Sequence, residues 1–196
     1  MRDRDIRSAL RHRLEQTHKD EAETLLLDEL GLCTGSARVD MAVVNGSLSG
    51  YEIKSEKDTL LRLPHQIEVY SKTLNLVTIV VGGTHLSNVL EMVPIWWGVE
   101  KVFSQDGEVV FETVREPEIN QQVDTYALVQ LLWRDEALAL LKELKLDKGM
   151  SSKPRRAIWQ KLAQARPADE LGLMVRHQLK VRTGWRSAPL PKLHDD

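Results

Sequence analysis

Apolar and polar positions alternate along this chain with two different periods, and the changes of period mark out its elements. Ile6, Leu10 and Leu14 recur every fourth residue, with Ala9 beside them and Arg and Glu opposite, which predicts a helix over 4–17. After a break at Thr17–Asp20, the apolar run Leu25–Leu32 carries the pair Asp28-Glu29, and its periodicity fits a helix end or a strand. Thr34-Gly35 is a turn signal. Arg38–Val44 alternates and is rich in β-branched residues, so it reads as a strand, and Asn45-Gly46 turns it into a partner at Leu48–Ser55. Asp58 is expected to cap a helix that runs to about Leu74, with Leu60, Leu63, Ile67, Tyr70 and Leu74 on its apolar face. Pro64 within that span either opens a second helical segment or kinks the first.

The second half continues with a buried strand at Leu76–Val81 ended by Gly82-Gly83, and a short helix at Leu86–Met92 stopped by Pro94. His85, just after that glycine pair, reads as a cap. Ile95–Phe103 and Glu108–Val114 flank Asp106-Gly107 as a second hairpin. Polar residues 117–122 make a soft boundary between a unit at 1–116 and a helical region at 117–196. In the latter, Thr125–Leu146, Pro154–Ala165 and Asp169–Val181 read as helices, and the proline-bearing last ten residues as frayed.

The 196 residues are 42% hydrophobic, enough for a real core, and the single cysteine, Cys33, excludes a disulfide framework or a thiolate zinc cluster. Cys33 itself reads as a small buried or turn residue. No apolar stretch approaches the length needed to span a bilayer, and Met1-Arg-Asp-Arg-Asp leads into no signal-peptide core, so a cytoplasmic protein is expected. Neither a Walker A nor a G-x-S-x-G motif is present. The net charge of −2 hides a split: residues 1–141 hold 14 Lys+Arg against 23 Asp+Glu, and residues 142–196 hold 13 against 6.

Candidate chemistry gathers on the first hairpin. A turn centred on Gly46 sets Asp40 opposite Glu52, with Cβ atoms roughly 5 Å apart, and Glu52 and Lys54 on one face. If Leu25–Leu32 is a strand that turns at Thr34-Gly35, Glu29 opposes Asp40, and three acids line one face of a meander. Like charges so placed call for a cation. Mg²⁺, or Mn²⁺ in its place, is the hard ion suited to a few carboxylates. The plainer alternative is surface carboxylates paired with Lys54 and Arg38.

Arg38-Val-Asp40, Gly50-Tyr-Glu52-Ile-Lys54-Ser55 and Gln66-x-x-x-Tyr70 resemble the PD-(D/E)XK nuclease superfamily. The last pattern resembles its branch with RecB-type exonuclease domains, and Gly50–Gln66 with Tyr70 and Trp96-Trp97-Gly98 looks like a small prokaryotic and phage family within it. The resemblance covers about half the chain, roughly residues 4–104, and lacks the usual Pro before the Asp, where Val39 stands. It implies an α/β, restriction-endonuclease-like core of helix, three-stranded meander, helix and strand, with a further hairpin and a C-terminal helical region. It also implies Mg²⁺-dependent hydrolysis of DNA, as an endonuclease rather than an exonuclease. Asp40, Glu52 and the Ile53 carbonyl would be metal ligands. Glu29 would be a less secure ligand with Glu21 and Glu23 as competitors, Lys54 the catalytic lysine, and Gln66 and Tyr70 a helix face turned to the site. The rival reading is a DNA- or protein-binding module that keeps the fold without cleavage.

Three features remain. Trp96-Trp97 on a strand would send one ring to the core and the other to a base or a dimer contact. His65 is a phosphate contact or a plain surface residue. Lys153, Arg155, Arg156 and Lys161, at the loop that opens a helix, suit a grip on the DNA backbone. A homodimer, or a partner encoded in the same gene cluster, completes the contacts considered.

Overall fold

The computed structural model describes residues 2–183 and residue 185. Its elements in chain order are α1 (Asp3–Thr17), β1 (Leu25–Leu32), β2 (Ala37–Val44), β3 (Leu48–Lys54), α2 (Leu63–Thr73), β4 (Leu76–Gly82), α3 (Leu86–Met92), β5 (Gly98–Gln105) and β6 (Glu108–Arg115). The helices α4 (Thr125–Val129), α5 (Arg134–Glu143), α6 (Arg155–Ala163) and α7 (Ala168–Val181) follow. The fold is mixed α/β: six strands form one sheet in sequence order, antiparallel at β1–β2–β3 and β5–β6, parallel where β4 joins β3 and β5.

Each sheet face is covered by its own helices. Ile6, Leu10 and Leu14 of α1 pack with Met41, Val43, Ile53, Val80 and Val102 on one face. On the other, Val69 and Tyr70 of α2 and Leu74 just after it join Val39, Ala42, Val77, Ile79 and the apolar sides of α4 to α7 in one continuous cluster. Gly50 makes the α2 contact close: a Cβ there would lie 2.5 Å from Leu74 Cδ1, so the missing side chain is what seats the end of α2 on the sheet.

Both hairpin registers match the expectation, Met41 facing Tyr51 and Leu30 facing Val39, and the ambiguous Leu25–Leu32 is a strand. The faces do not match it. Leu25 and Leu27 share the α2-side cluster with Leu30 and Leu32, and Val39 shares it with Ala42. In each strand the alternation therefore slips by one residue, at Glu29 in β1 and Asp40 in β2. Glu29 holds φ at +56°, a left-handed conformation costly for a residue with a Cβ, and neither residue takes part in the regular pairing.

Other boundaries shift for local reasons. Asp58 caps no helix; its Oδ2 accepts from the N–H and the hydroxyl of Ser55, closing the turn after β3. The helix starts at Leu63 with Pro64 in its first turn, where a missing N–H costs nothing. Trp96 and Trp97 precede β5 in a turn closed by Trp97 N–H donating to the Pro94 carbonyl, so strand alternation does not govern them. Trp97 is fully buried and stacked on Tyr70, centroids 5.9 Å apart, with half-buried Trp96 edge-on. The long helix expected over 125–146 is two: Asp124 caps α4, and the chain restarts at Trp133, whose N–H donates to Glu136. His85 precedes α3 as its cap residue, and Cys33 sits in the β1–β2 turn with Sγ 3.7 Å from the Thr73 hydroxyl. The expectation for the last ten residues lies outside the described residues.

Since α1 is the helix that covers this sheet face among the described residues, truncating its central residue should expose that face. Leu10, wholly buried, changed to Ala should cost about 3 kcal/mol in urea unfolding. A loss under about 1 kcal/mol would mean that α1 does not dock as described.

Candidate active site

The end of β3 builds the site. Beyond Tyr51 the ladder with β2 stops, and Asp40 takes over: its Oδ2 accepts the Ile53 N–H at 2.7 Å. A strand residue directs its N–H and C=O to the same side, so the Ile53 carbonyl also leaves toward β2. Glu52 and Lys54 project to the α2 side. A cleft of about 560 Å³ opens here, lined among others by Glu29, Arg38, Asp40, Glu52, Ile53, Lys54, His65 and Gln66.

Glu52, 2% exposed, is held from three directions. Lys54 Nζ lies 2.5 Å and Gln66 Nε2 2.6 Å from its Oε1, and the Tyr70 hydroxyl lies 2.6 Å from its Oε2. That hydroxyl is also 2.6 Å from the Arg38 carbonyl and has one proton for two acceptors. Both contacts become hydrogen bonds when Glu52 is protonated and donates to the tyrosine oxygen. Burial, reinforced by the facing charge of Asp40 and opposed by Lys54, raises the Glu52 pKa to about 6. Burial and the neighbouring Glu52 likewise raise that of Tyr70, so it stays a donor.

Asp40 and Glu29 meet a different cation. Arg7 of α1 donates from Nη2 to Asp40 Oδ1 at 2.7 Å and lies 2.9 Å from Glu29 Oε1, whose other oxygen is 3.5 Å from Arg38. The three acids thus line one cleft without sharing one face. Glu52 looks toward α2, and Asp40 and Glu29, at the slip in alternation, reach the guanidinium that α1 supplies. Glu21 bonds to Thr24 and Asn45, and Glu23 pairs with Lys180, so neither competitor reaches the cleft. His65 lines the cleft through Nε2, within 3.1 Å of the Ser36 hydroxyl and carbonyl oxygens.

The sequence reading missed Arg7, together with Asp3, Asp58 and Arg62 at the rim. Arg7 adjoins Ile6 on an amphipathic helix, and only the docking of that helix gives it meaning. Lys153, Arg155, Arg156 and Lys161 are all exposed and make no ion pair among the described residues; the Arg155 guanidinium stacks 4.5 Å over Trp159.

Two carboxylates and a carbonyl offer hard oxygen donors that suit Mg²⁺, which needs only one or two protein carboxylates and keeps its waters. Among the described residues no three His, Cys, Asp or Glu form a ready ligand set. Asp40, Glu52 and the Ile53 carbonyl would be the oxygens to hold such an ion, since Glu29 is engaged by its arginines.

These features place the chain in a class: a mixed α/β protein with a paired-acid and lysine cleft at the end of its central strands. Residues 1–190 match the bacteriophage P4 protein cII family, and the chain belongs to it. Protein cII of Enterobacteria phage P4 is 27% identical over 145 residues, 73% of this chain and 54% of that protein. The chain thus spans about half the length of this curated relative. A solved structure of a protein of unknown function from Silicibacter pomeroyi is similar over 77% of this chain and 93% of that one, at 17% identity and a TM-score of 0.41.

A buried carboxyl with a raised pKa favours folding most when protonated. The stabilising contribution of Glu52 is complete below about pH 4.5 and is lost as pH rises through about 6. In the metal-free protein its side-chain carboxyl, followed by carbon NMR, should titrate near 6, and Lys54→Met should push that value higher. Titration at the ordinary glutamate value would refute the burial argument.

Proposed function

We propose that the protein is a Mg²⁺-dependent DNA endonuclease of the PD-(D/E)XK type, with Mn²⁺ able to substitute. The observation that carries this reading is the convergence of Asp40, Glu52, the Ile53 carbonyl and Lys54 on one cleft, backed by Gln66 and Tyr70. The succession α1, β1–β3 meander, α2 and parallel β4 supports a restriction-endonuclease-like core.

The chain's own groups have separate tasks. Tyr70 and Gln66 fix the Glu52 carboxylate so that it can accept a cation without rearranging. The Gln66 Oε1 atom, buried and without a partner among the described residues, is free to orient a water or a phosphate-bound hydroxyl. The Lys54 ammonium offsets negative charge that develops on a phosphodiester entering beside it. Bound Mg²⁺ would supply the polarisation of the phosphoryl oxygen and the acidification of a water. The cleft is lined by five acids (Asp3, Glu29, Asp40, Glu52, Asp58) and four Lys or Arg (Arg7, Arg38, Lys54, Arg62). A divalent cation there turns a surface that repels phosphate into one that attracts it. The exposed Lys153, Arg155, Arg156 and Lys161 would hold the backbone elsewhere along the duplex.

One observation favours a second reading, a DNA-binding module without cleavage. Every acid of the trio already has a cation from the chain itself: Arg7 stands between Asp40 and Glu29, and Lys54 sits on Glu52.

The two readings part in an assay with Mg²⁺ or Mn²⁺ on linear, nicked, branched and single-stranded DNA. The nuclease reading expects cleavage that falls about 100-fold or more in Asp40→Asn and in Lys54→Met. No cleavage of any substrate, with DNA binding retained, would leave the binding module. For the grip, changing Arg155 and Arg156 together to Glu should weaken DNA binding at low salt and lower the salt slope by about two. Unchanged affinity and slope would remove those residues from the interface.

A further inference from the structure

At the other end of β3, roughly 17 Å along the strand from Glu52, lies a second cleft of about 530 Å³ between the β2–β3 turn, the segment at 119–123 and α7. Arg176 of α7 lines it and is 8% exposed, yet no carboxylate pairs with it among the described residues. Its one hydrogen bond there is a long 3.4 Å from Nη1 to Asn75 Oδ1, and its Nε has no partner. A guanidinium is always charged and is rarely buried unpaired, because desolvation costs more than packing returns. Burial accordingly lowers its pKa.

The chain makes room for this cation. Arg176 folds back over Gly172, one turn earlier, and a Cβ there would lie 2.8 Å from Nη1. A mid-helix glycine gives up helix stability relative to alanine, and here the sacrifice shelters the guanidinium. The walls are fixed: Asn75 Oδ1 also accepts the Leu48 N–H at 2.9 Å, and Asn120 donates to the Ser71 and Leu74 carbonyls. The remaining lining is mixed, with Leu173, Ile119 and Val123 apolar and Asp169 acidic. The buried, unpaired arginine suits a ligand with a single negative charge, and the exposed Asp169 at the mouth disfavours a second.

We propose that this cleft binds a singly charged oxyanion on a small apolar body, seated on Arg176. The inference stands apart from the nuclease reading and uses none of its residues. A planar guanidinium meets a carboxylate or a phosphodiester with paired hydrogen bonds, while Leu173 and Ile119 contact the apolar part.

The test titrates the full chain with acetate, 4-methylpentanoate and dimethyl phosphate, following the Arg176 Nε–H resonance and heat of binding. Saturable binding by 4-methylpentanoate, several-fold tighter than by acetate, is expected for a carboxylate source. Tighter binding by dimethyl phosphate supports the same site with a phosphodiester source. Arg176→Met should weaken binding about tenfold or more. Gly172→Ala keeps the charge and improves helix propensity, yet should weaken binding several-fold by displacing the guanidinium. The absence of saturable binding by all three probes, or binding unaltered in both variants, would overturn the proposal. If Arg176→Met does not fold, the Gly172→Ala titration and the wild-type Nε–H shift decide it.

Discussion

A carboxylate buried under a sheet must be held by donors or be neutral, and Glu52 sits on that boundary. Its three contacts come from its own strand through Lys54 and from α2 through Gln66 and Tyr70. Tyr70 is in turn stacked on Trp97, and Leu74 at the end of α2 rests on Gly50. The placement of α2 on the sheet and the burial of the aromatic pair are thus tied to one acidic group. Removing its donors would both loosen the core and leave a buried acid uncompensated.

The opposite face has a simpler logic. Apolar residues of α1 cover Met41, Val43, Ile53 and Val80, and the same helix brings Arg7 and Arg11 against acids of β1 and β2: Arg7 to Glu29 and Asp40, Arg11 to Asp28. A single amphipathic helix therefore closes the core and balances the cleft electrically. These pairs are partly exposed, so salt weakens them more than it weakens the Lys54–Glu52 contact.

Much of this was legible in the sequence for a physical reason: turns fix register. Asn45-Gly46 and Thr34-Gly35 set the pairing of β1, β2 and β3, and the pairing brings Asp40, Glu52, Lys54 and Glu29 to one cleft. The slip in alternation at Glu29 and Asp40 was not legible, because a left-handed backbone at glutamate leaves no glycine to announce it. Arg7 was invisible because a helical pattern shows which face is apolar but not which strand a charge will meet. The division of 125–146 into α4 and α5 is held by Glu136, which caps the Trp133 N–H and takes Arg182 from beyond α7, a tertiary contact that the continuous apolar pattern conceals. Burial of Arg176 had no local signal apart from Gly172, one turn earlier on its helix.

The slip has a consequence for the architecture of the hairpin. With Glu29 and Asp40 set aside, Leu25 to Leu32 and Ala37 to Val44 alternate regularly between the two faces, and every remaining pair keeps its partner. The acidic pair is in effect one extra rung slipped into an otherwise ordinary ladder. Taking out both residues together conserves register and core, whereas taking out either alone leaves the other as a one-residue bulge. Chemistry mounted on a removable rung can change, or disappear, between relatives while the sheet that carries it stays the same.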